Sequence, residues 1–254
     1  MENAWIAWLG VAFVFLSSVL GAGIVFCFKA EIPQRTQRFL LALASGVMMS
    51  ASVWSLLIPS IKQASGFGVF AFVPAVVGVV LGGLFLFIID VFLPSKTVNT
   101  GEQAKALRLF FAITLHNVPE GLAVGFAFGM ASVVGTTAAY LSALGLAIGI
   151  GVQNFPESAA IALPLKTAFG DKRRAFLWGV ASALAEPVFA VFGYFLSAGV
   201  GILQPWLLAF AAGAMLLVTI EDLLPDVICS KSVLSSWGFL LGFMAMMVLD
   251  VTIG

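Results

Sequence analysis

The sequence predicts an all-α polytopic membrane protein, a single transmembrane domain over residues 1–254 built from eight spanning helices. Three observations carry that expectation. Hydrophobic residues make up 61% of the chain and charged residues 9%, with a mean hydropathy of +1.12, whereas a water-soluble domain carries about 25% charged residues. Eight apolar runs reach the roughly 20 residues that a helix needs to cross a bilayer. Eleven of the twelve lysines and arginines fall on alternate connections between those runs. At this run length only helices satisfy their own backbone groups in lipid, so the helical class follows from the solvent.

Taken in order, the first run, 4–28, follows Met1-Glu2-Asn3, which lacks the basic segment of a cleaved leader, so the run is expected to stay as a span. Lys29, Arg35 and Arg38 come after it. The second run, 39–61, holds Gly46-Val47-Met48 and Leu56-Leu57, and Lys62 follows. The third, 69–93, has Asp90 near its end and leads into the longest polar stretch, Pro94 to Lys105, which reads as a mobile loop. The fourth, 107–130, contains His116-Asn117-Val118-Pro119-Glu120. The fifth, 134–165, contains Gln153-Asn154-Phe155-Pro156-Glu157, and its Gly145, Gly149 and Gly151 suit close helix packing. The sixth, 174–199, carries Glu186-Pro187. The seventh, 203–225, carries Gly213-Ala214-Met215 and Leu223-Leu224, with Glu221, Asp222 and Asp226 at its end. The eighth, 234–253, has Asp250 near its outer end.

The charges set an orientation. Lys29, Arg35, Arg38, Lys96, Lys105, Arg108, Lys166, Lys172, Arg173, Arg174 and Lys231 share one face, and only Lys62 lies opposite. The positive-inside rule makes the basic face cytoplasmic and places both termini outside the cytoplasm. A net charge of zero argues against a nucleic-acid partner; the lipid bilayer is the expected surroundings. Cys27 and Cys229 have no paired spacing and read as free thiols.

Internal likeness adds an architecture. Gly46 and Met48 before Leu56-Leu57 repeat as Gly213 and Met215 before Leu223-Leu224, with the same spacing. His116-Asn117-Val118-Pro119-Glu120 repeats as Gln153-Asn154-Phe155-Pro156-Glu157. Spans two and seven run in opposite directions, as do four and five. A duplication of that kind is an inverted repeat, an arrangement transporters use to hold substrate near the bilayer midplane.

The repeated pair is also where the chemistry gathers. A charged side chain at the bilayer centre costs about 2.5–3.5 kcal/mol on insertion scales, so such groups face a cavity and work there. His116, the only histidine of the chain, and Glu120 are four residues apart and share a helix face; Gln153 and Glu157 repeat that geometry. Pro119 and Pro156 each free a carbonyl one turn back, near Leu115 and Val152, and are expected to open the helix locally. With Asn117 and Asn154 the two helices offer one imidazole, two carboxylates and three amide oxygens. That mixed set suits zinc, iron or manganese better than an alkali ion, and two carboxylates balance a doubly charged ion. Without metal, carboxyls so placed hold protons, so metal arrival would release them. The competing reading is a polar pair that holds helices together; its occurrence twice on neighbouring helices argues for the ion. Glu186 reads as a ligand for a second ion, against the alternative of a helix-packing carboxylate satisfied by a neighbouring hydroxyl. By periodicity alone Met48 reads as packing. Glu221, Asp222, Asp226 and Asp90 suit an exit path and a solvated helix end about equally, and for Asp250 an entrance role and a structural one both stand.

These motifs carry a resemblance. The chain resembles the ZIP (Zrt/Irt-like) family of divalent-metal transporters, and looks most like its bacterial GufA-like branch. His116-Asn117-Val118-Pro119-Glu120-Gly121 matches the family's fourth-span motif without departure. The resemblance implies a 3+2+3 grouping of spans, with four and five enclosing a two-metal site. It implies that His116, Glu120, Gln153 and Glu157 hold one ion with Met48 as a soft ligand. Asn117, Asn154 and Glu186 hold the second, Glu120 and Glu157 bridge, and Glu221 stands on the cytoplasmic exit route. Four departures qualify the match. Gln153 stands where many relatives have histidine, Ser158 where glycine is usual, and Asn154 where some have aspartate; the loop after span three lacks the family's histidine cluster.

The function expected on these grounds is uptake of zinc, or of iron, manganese or cadmium, into the cytoplasm by alternating access, the ion being substrate and not cofactor. A bacterial inner membrane fits the compact length, and a homodimer is an oligomeric state open to it. An enzyme is not expected. The alternative from that class is an intramembrane metal-dependent hydrolase, against which stand the single histidine and the lack of a Ser or Cys nucleophile beside it. A purely structural membrane scaffold is the third class.

Overall fold

The computed structural model describes residues 4–27, 33–92, 102–229 and 232–253, and nearly all of them are helical. Among these, eight helices are long and apolar enough to cross a membrane. The first span is Ala4–Cys27. The second runs from Gln34–Ala51 through a π-helical turn, Ser52–Leu57, into Ile58–Gln63. The third is Phe72–Phe92, the fourth Glu102–Val134 and the fifth Thr137–Phe169. The sixth is two segments, Lys172–Ala183 and Ala185–Gly199, joined at Leu184 just ahead of Glu186-Pro187. The seventh runs from Gln204–Val218 through a second π-helical turn, Thr219–Leu223, into Leu224–Cys229. The eighth is Val233–Ile253.

Two expectations need correction. Glu102 to Lys105 is not loop but the first turn of the fourth helix; the helix continues past the apolar run because polar residues cost a helix little once it has left the lipid. Residues 94–101 of that stretch lie outside the described residues, as do Lys29, Lys96 and Lys231. Pro119 and Pro156 do not break their helices, which run on through both as single α-helices of 33 residues. The irregular turns fall in the second and seventh spans instead. There Ser52 donates to the carbonyl of Met48 (2.8 Å) and Thr219 to that of Met215 (2.7 Å), back-bonds of the kind that bend helices.

The connection between the fourth and fifth helices is short and capped. Gly135, at φ +73°, ends the fourth helix in the left-handed region a side chain disfavours, and Thr136 accepts from the Ala139 amide to open the fifth. Cys27 is an exposed free thiol; the Cys229 side chain lies outside the described residues.

Packing sorts the spans into two groups. The first span lies along the fifth and the fourth along the sixth; the second lies along the eighth and the third along the seventh. Contacts of the second with the fifth span, and of the fourth with the seventh, join the groups. Glycines bring the paired backbones together. A Cβ on Gly46 would stand 2.0 Å from the Phe239 carbonyl oxygen, and one on Gly242 2.1 Å from that of Leu43. Between the third and seventh spans, a Cβ on Gly82 would stand 1.9 Å from the Phe210 oxygen and one on Gly213 2.2 Å from that of Val79. The fourth span is the most enclosed, 78% of its apolar window being buried against 22% for the eighth, so Asn117 and Glu120 sit where neither water nor lipid reaches.

Candidate metal centre

On the fourth helix the spacing of 117 and 120 turns Asn117 and Glu120 toward the middle of the molecule, and both are buried, Glu120 completely. The antiparallel fifth helix brings Gln153, Asn154 and Glu157 against them, all buried. The break at Leu184 starts a new helix at Ala185, placing Glu186, 1% exposed, in its first turn, where the helix dipole favours an acid.

Contacts tie these groups together. Gln153 Nε2 donates to Glu120 Oε1 at 2.8 Å. Glu157 and Glu186 lie within electrostatic reach of Glu120, and Asn154 stands beside both Glu120 and Glu186 without hydrogen-bond geometry to either. Asn117 Nδ2 donates to the Ser182 carbonyl (3.0 Å) and hydroxyl (3.2 Å), one turn before Glu186 on the sixth span. Ser18, from the first span, donates to Glu186 Oε1. Among the described residues, Glu120 Oε2, Gln153 Oε1, both amide atoms of Asn154 and Glu186 Oε2 are buried without a hydrogen-bond partner. Buried polar atoms are ordinarily satisfied, so five unpartnered ones on four neighbouring side chains set this region apart from the apolar core. No lysine or arginine among the described residues neutralises Glu120 or Glu186.

The residues named from the sequence therefore divide. Glu120, Gln153, Asn154, Glu157 and Glu186 come together, with Asn117 at their edge. His116 lies on the fourth helix one turn from Glu120, but its side chain is outside the described residues, as are those of Asp90, Asp222 and Asp226. Among the described residues no three acidic, imidazole or thiol groups close on a single point, so amide oxygens would have to share in any coordination. Met48 is fully buried, its sulfur 3.9 Å from the Thr219 hydroxyl. Glu221 is exposed in the π turn of the seventh span, apart from the buried group. Asp250 accepts from Ser55 (2.5 Å) and is likewise separate. Ser18 and Ser182 went unremarked in the sequence; the only signal was a hydroxyl in an otherwise apolar span.

A polytopic helical membrane protein with acids and amides buried between its central helices has the layout of a membrane transporter. The profile of the family described as ZIP Zinc transporter matches residues 96–250. Human "Zinc transporter ZIP11" is 34% identical over 98% of this chain and 97% of its own length. "Zinc transporter ZIPB" of Bordetella bronchiseptica is 34% identical over 97% of this chain and 81% of its own, and "Zinc transporter GufA" of Myxococcus xanthus 33% over 89% and 90%. The chain belongs to the ZIP family. It is an integral membrane protein of a transporter family, and the hydrolase alternative falls with that assignment.

Proposed function

We propose that this chain carries zinc or a similar divalent transition-metal ion across its membrane into the cytoplasm, holding it at the group formed by Glu120, Gln153, Asn154, Glu157 and Glu186. One observation carries the reading: the buried Glu120 and Glu186 carboxylates, which no lysine or arginine among the described residues neutralises, beside amide atoms of Gln153 and Asn154 that have no hydrogen-bond partner. A doubly charged ion supplies both the missing charge and the missing ligands. Asn117 and His116 complete the oxygen and nitrogen set, Met48 adds a soft ligand, and Glu221 lies on the way out; a second ion shares the Glu120 and Glu157 carboxylates.

Alternating access is the mechanism, built on an inverted repeat with spans one to three matched to six to eight and four to five. The packing supports this. Exchanging one with six, two with seven, three with eight and four with five converts the one–five pair into six–four and the two–eight pair into seven–three, the pairs that occur. The exchange holds at residue level: Leu43 against Gly242 becomes Phe210 against Gly82, and Gly46 against Phe239 becomes Gly213 against Val79. The π turns at Ser52–Leu57 and Thr219–Leu223 are matched in the same way. The basic connections support a cytoplasmic face for those loops and termini on the opposite side of a bacterial inner membrane.

The test is zinc accumulation by cells or proteoliposomes. Glu120→Ala is expected to lower uptake to about a tenth or less, since it removes a buried ionic ligand. Uptake at the wild-type rate would show that the centre is wrongly placed.

A further inference from the structure

Glu186 is the acid of the centre that arrives from outside the two central helices; Glu120, Glu157 and Asn154 face it on the side of the centre, and Val11, Val14, Gly121, Val124 and Ala190 line a narrow apolar space beside it. In such surroundings the direction of a carboxylate is set by whatever donates to it. Among the described residues the donor is Ser18, 1% exposed, whose hydroxyl gives its proton to Oε1 and leaves Oε2 without a partner. The Ser18 hydroxyl also lies 3.4 Å from the Val14 carbonyl, the weaker of its two contacts.

The repeat explains why these two side chains meet. Span one matches span six with Ser18 standing where Glu186 stands. On one side Gly121 lies against Phe189, the contact from a Cβ being 3.1 Å; on the other Gly21 lies against Ser158, at 2.9 Å. Residues next to a two-fold axis meet their own counterparts, so Ser18 occupies the place of a second Glu186 and touches the first. The centre thus receives one carboxylate and one hydroxyl from its outer helices.

We infer that Ser18 is a positioning residue for metal transport: its hydroxyl holds Glu186 Oε1 on the first-span side, so that Glu186 presents Oε2 alone to the ion. The inference rests on the proposed metal centre. It gives the first span a part in metal recognition, which its apolar sequence does not suggest.

The experiment measures half-saturation and maximal rate for zinc and for cadmium in proteoliposomes containing the full chain. A hydrogen bond to a charged group is lost in Ser18→Ala, so half-saturation for zinc is expected to rise about tenfold, with the maximal rate within about twofold and Ser18→Thr restoring both. The zinc-to-cadmium ratio is expected to fall, because a carboxylate free to turn discriminates less between a small and a large ion. On a Glu186→Ala background, Ser18→Ala is expected to add nothing further. A unchanged half-saturation in Ser18→Ala, or an equal fall in maximal rate for both metals at constant half-saturation, overturns the positioning role and marks packing instead. The two readings fail separately. Wild-type behaviour of Glu186→Ala strikes the centre itself, whereas an impaired Glu186→Ala beside a normal Ser18→Ala strikes only the inference.

Discussion

At the centre, stability and function oppose one another. Glu120 is completely buried, has Glu157 and Glu186 as neighbours, and leaves one oxygen without a donor. Removing such a charge while keeping the shape relieves repulsion from its acidic neighbours and the cost of burying a charge away from water. Glu120→Gln keeps an acceptor for Gln153 Nε2. It is therefore expected to unfold in detergent at a temperature no lower than the wild type when metal-free, while losing the rise in that temperature which zinc gives the wild type. A metal-free protein less stable than wild type would mean that the carboxylate serves the fold. The sequence made Glu120, Gln153, Asn154, Glu157 and Glu186 legible because ionisable and amide groups are conspicuous in apolar helices and because their spacing repeats. Ser18 and Ser182 were not legible, since a lone serine in a span bonds its own helix as readily as a neighbour.

Among the elements, run length made the spans legible, but their ends were not. The fourth helix starts at Glu102 and the fifth ends at Phe169, both beyond their apolar runs, because leaving lipid removes the need for apolar residues without removing the helix. The prolines at 119 and 156 suggested irregularity where none occurs, and the π turns of the second and seventh spans left only indirect traces. Glycine acts on this scale too, by deciding how near two helices come. A Cβ on Gly82 would stand 1.9 Å from a backbone oxygen of the seventh span, an atom that cannot swing aside, whereas nothing lies within 4 Å of one on Gly199. Gly82→Ala is expected to cost about 1–3 kcal/mol through overpacking, read as an earlier loss of monodisperse protein on heating. Gly199→Ala is expected to be neutral or to gain up to about 1 kcal/mol. Equal thermal behaviour of the two variants would show that the third and seventh spans are not in fact so closely packed.

Over the whole molecule, packing within each group of four spans is tight and glycine-mediated, while contact between the groups is sparser: the second with the fifth, the fourth with the seventh and, less extensively, the fifth with the eighth. If access alternates by one group moving against the other, a bond between groups stops transport and a bond within a group does not. The fifth and eighth spans offer a pair across the boundary, since a Cβ on Gly149 would stand 2.1 Å from Met246 Sδ. The first and sixth offer a pair inside one group, a Cβ on Gly179 standing 2.7 Å from that of Ala22. A cysteine sulfur at 246 would take the place of Met246 Cγ, 3.7 Å from the Cβ at 149, so each pair reaches a disulfide once the backbones relax by about an ångström. In a chain whose own Cys27 and Cys229 are replaced by serine, oxidising Gly149→Cys with Met246→Cys is expected to stop zinc uptake, and a reductant to restore it. Oxidising Gly179→Cys with Ala22→Cys is expected to leave uptake near its reduced level. The within-group pair controls for the chemistry of oxidation, so the contrast between the two, rather than either alone, decides whether the boundary moves. Uptake that continues through the fifth–eighth bond would locate the motion inside a group, with the π turns at Ser52–Leu57 and Thr219–Leu223 as the next place to look for it.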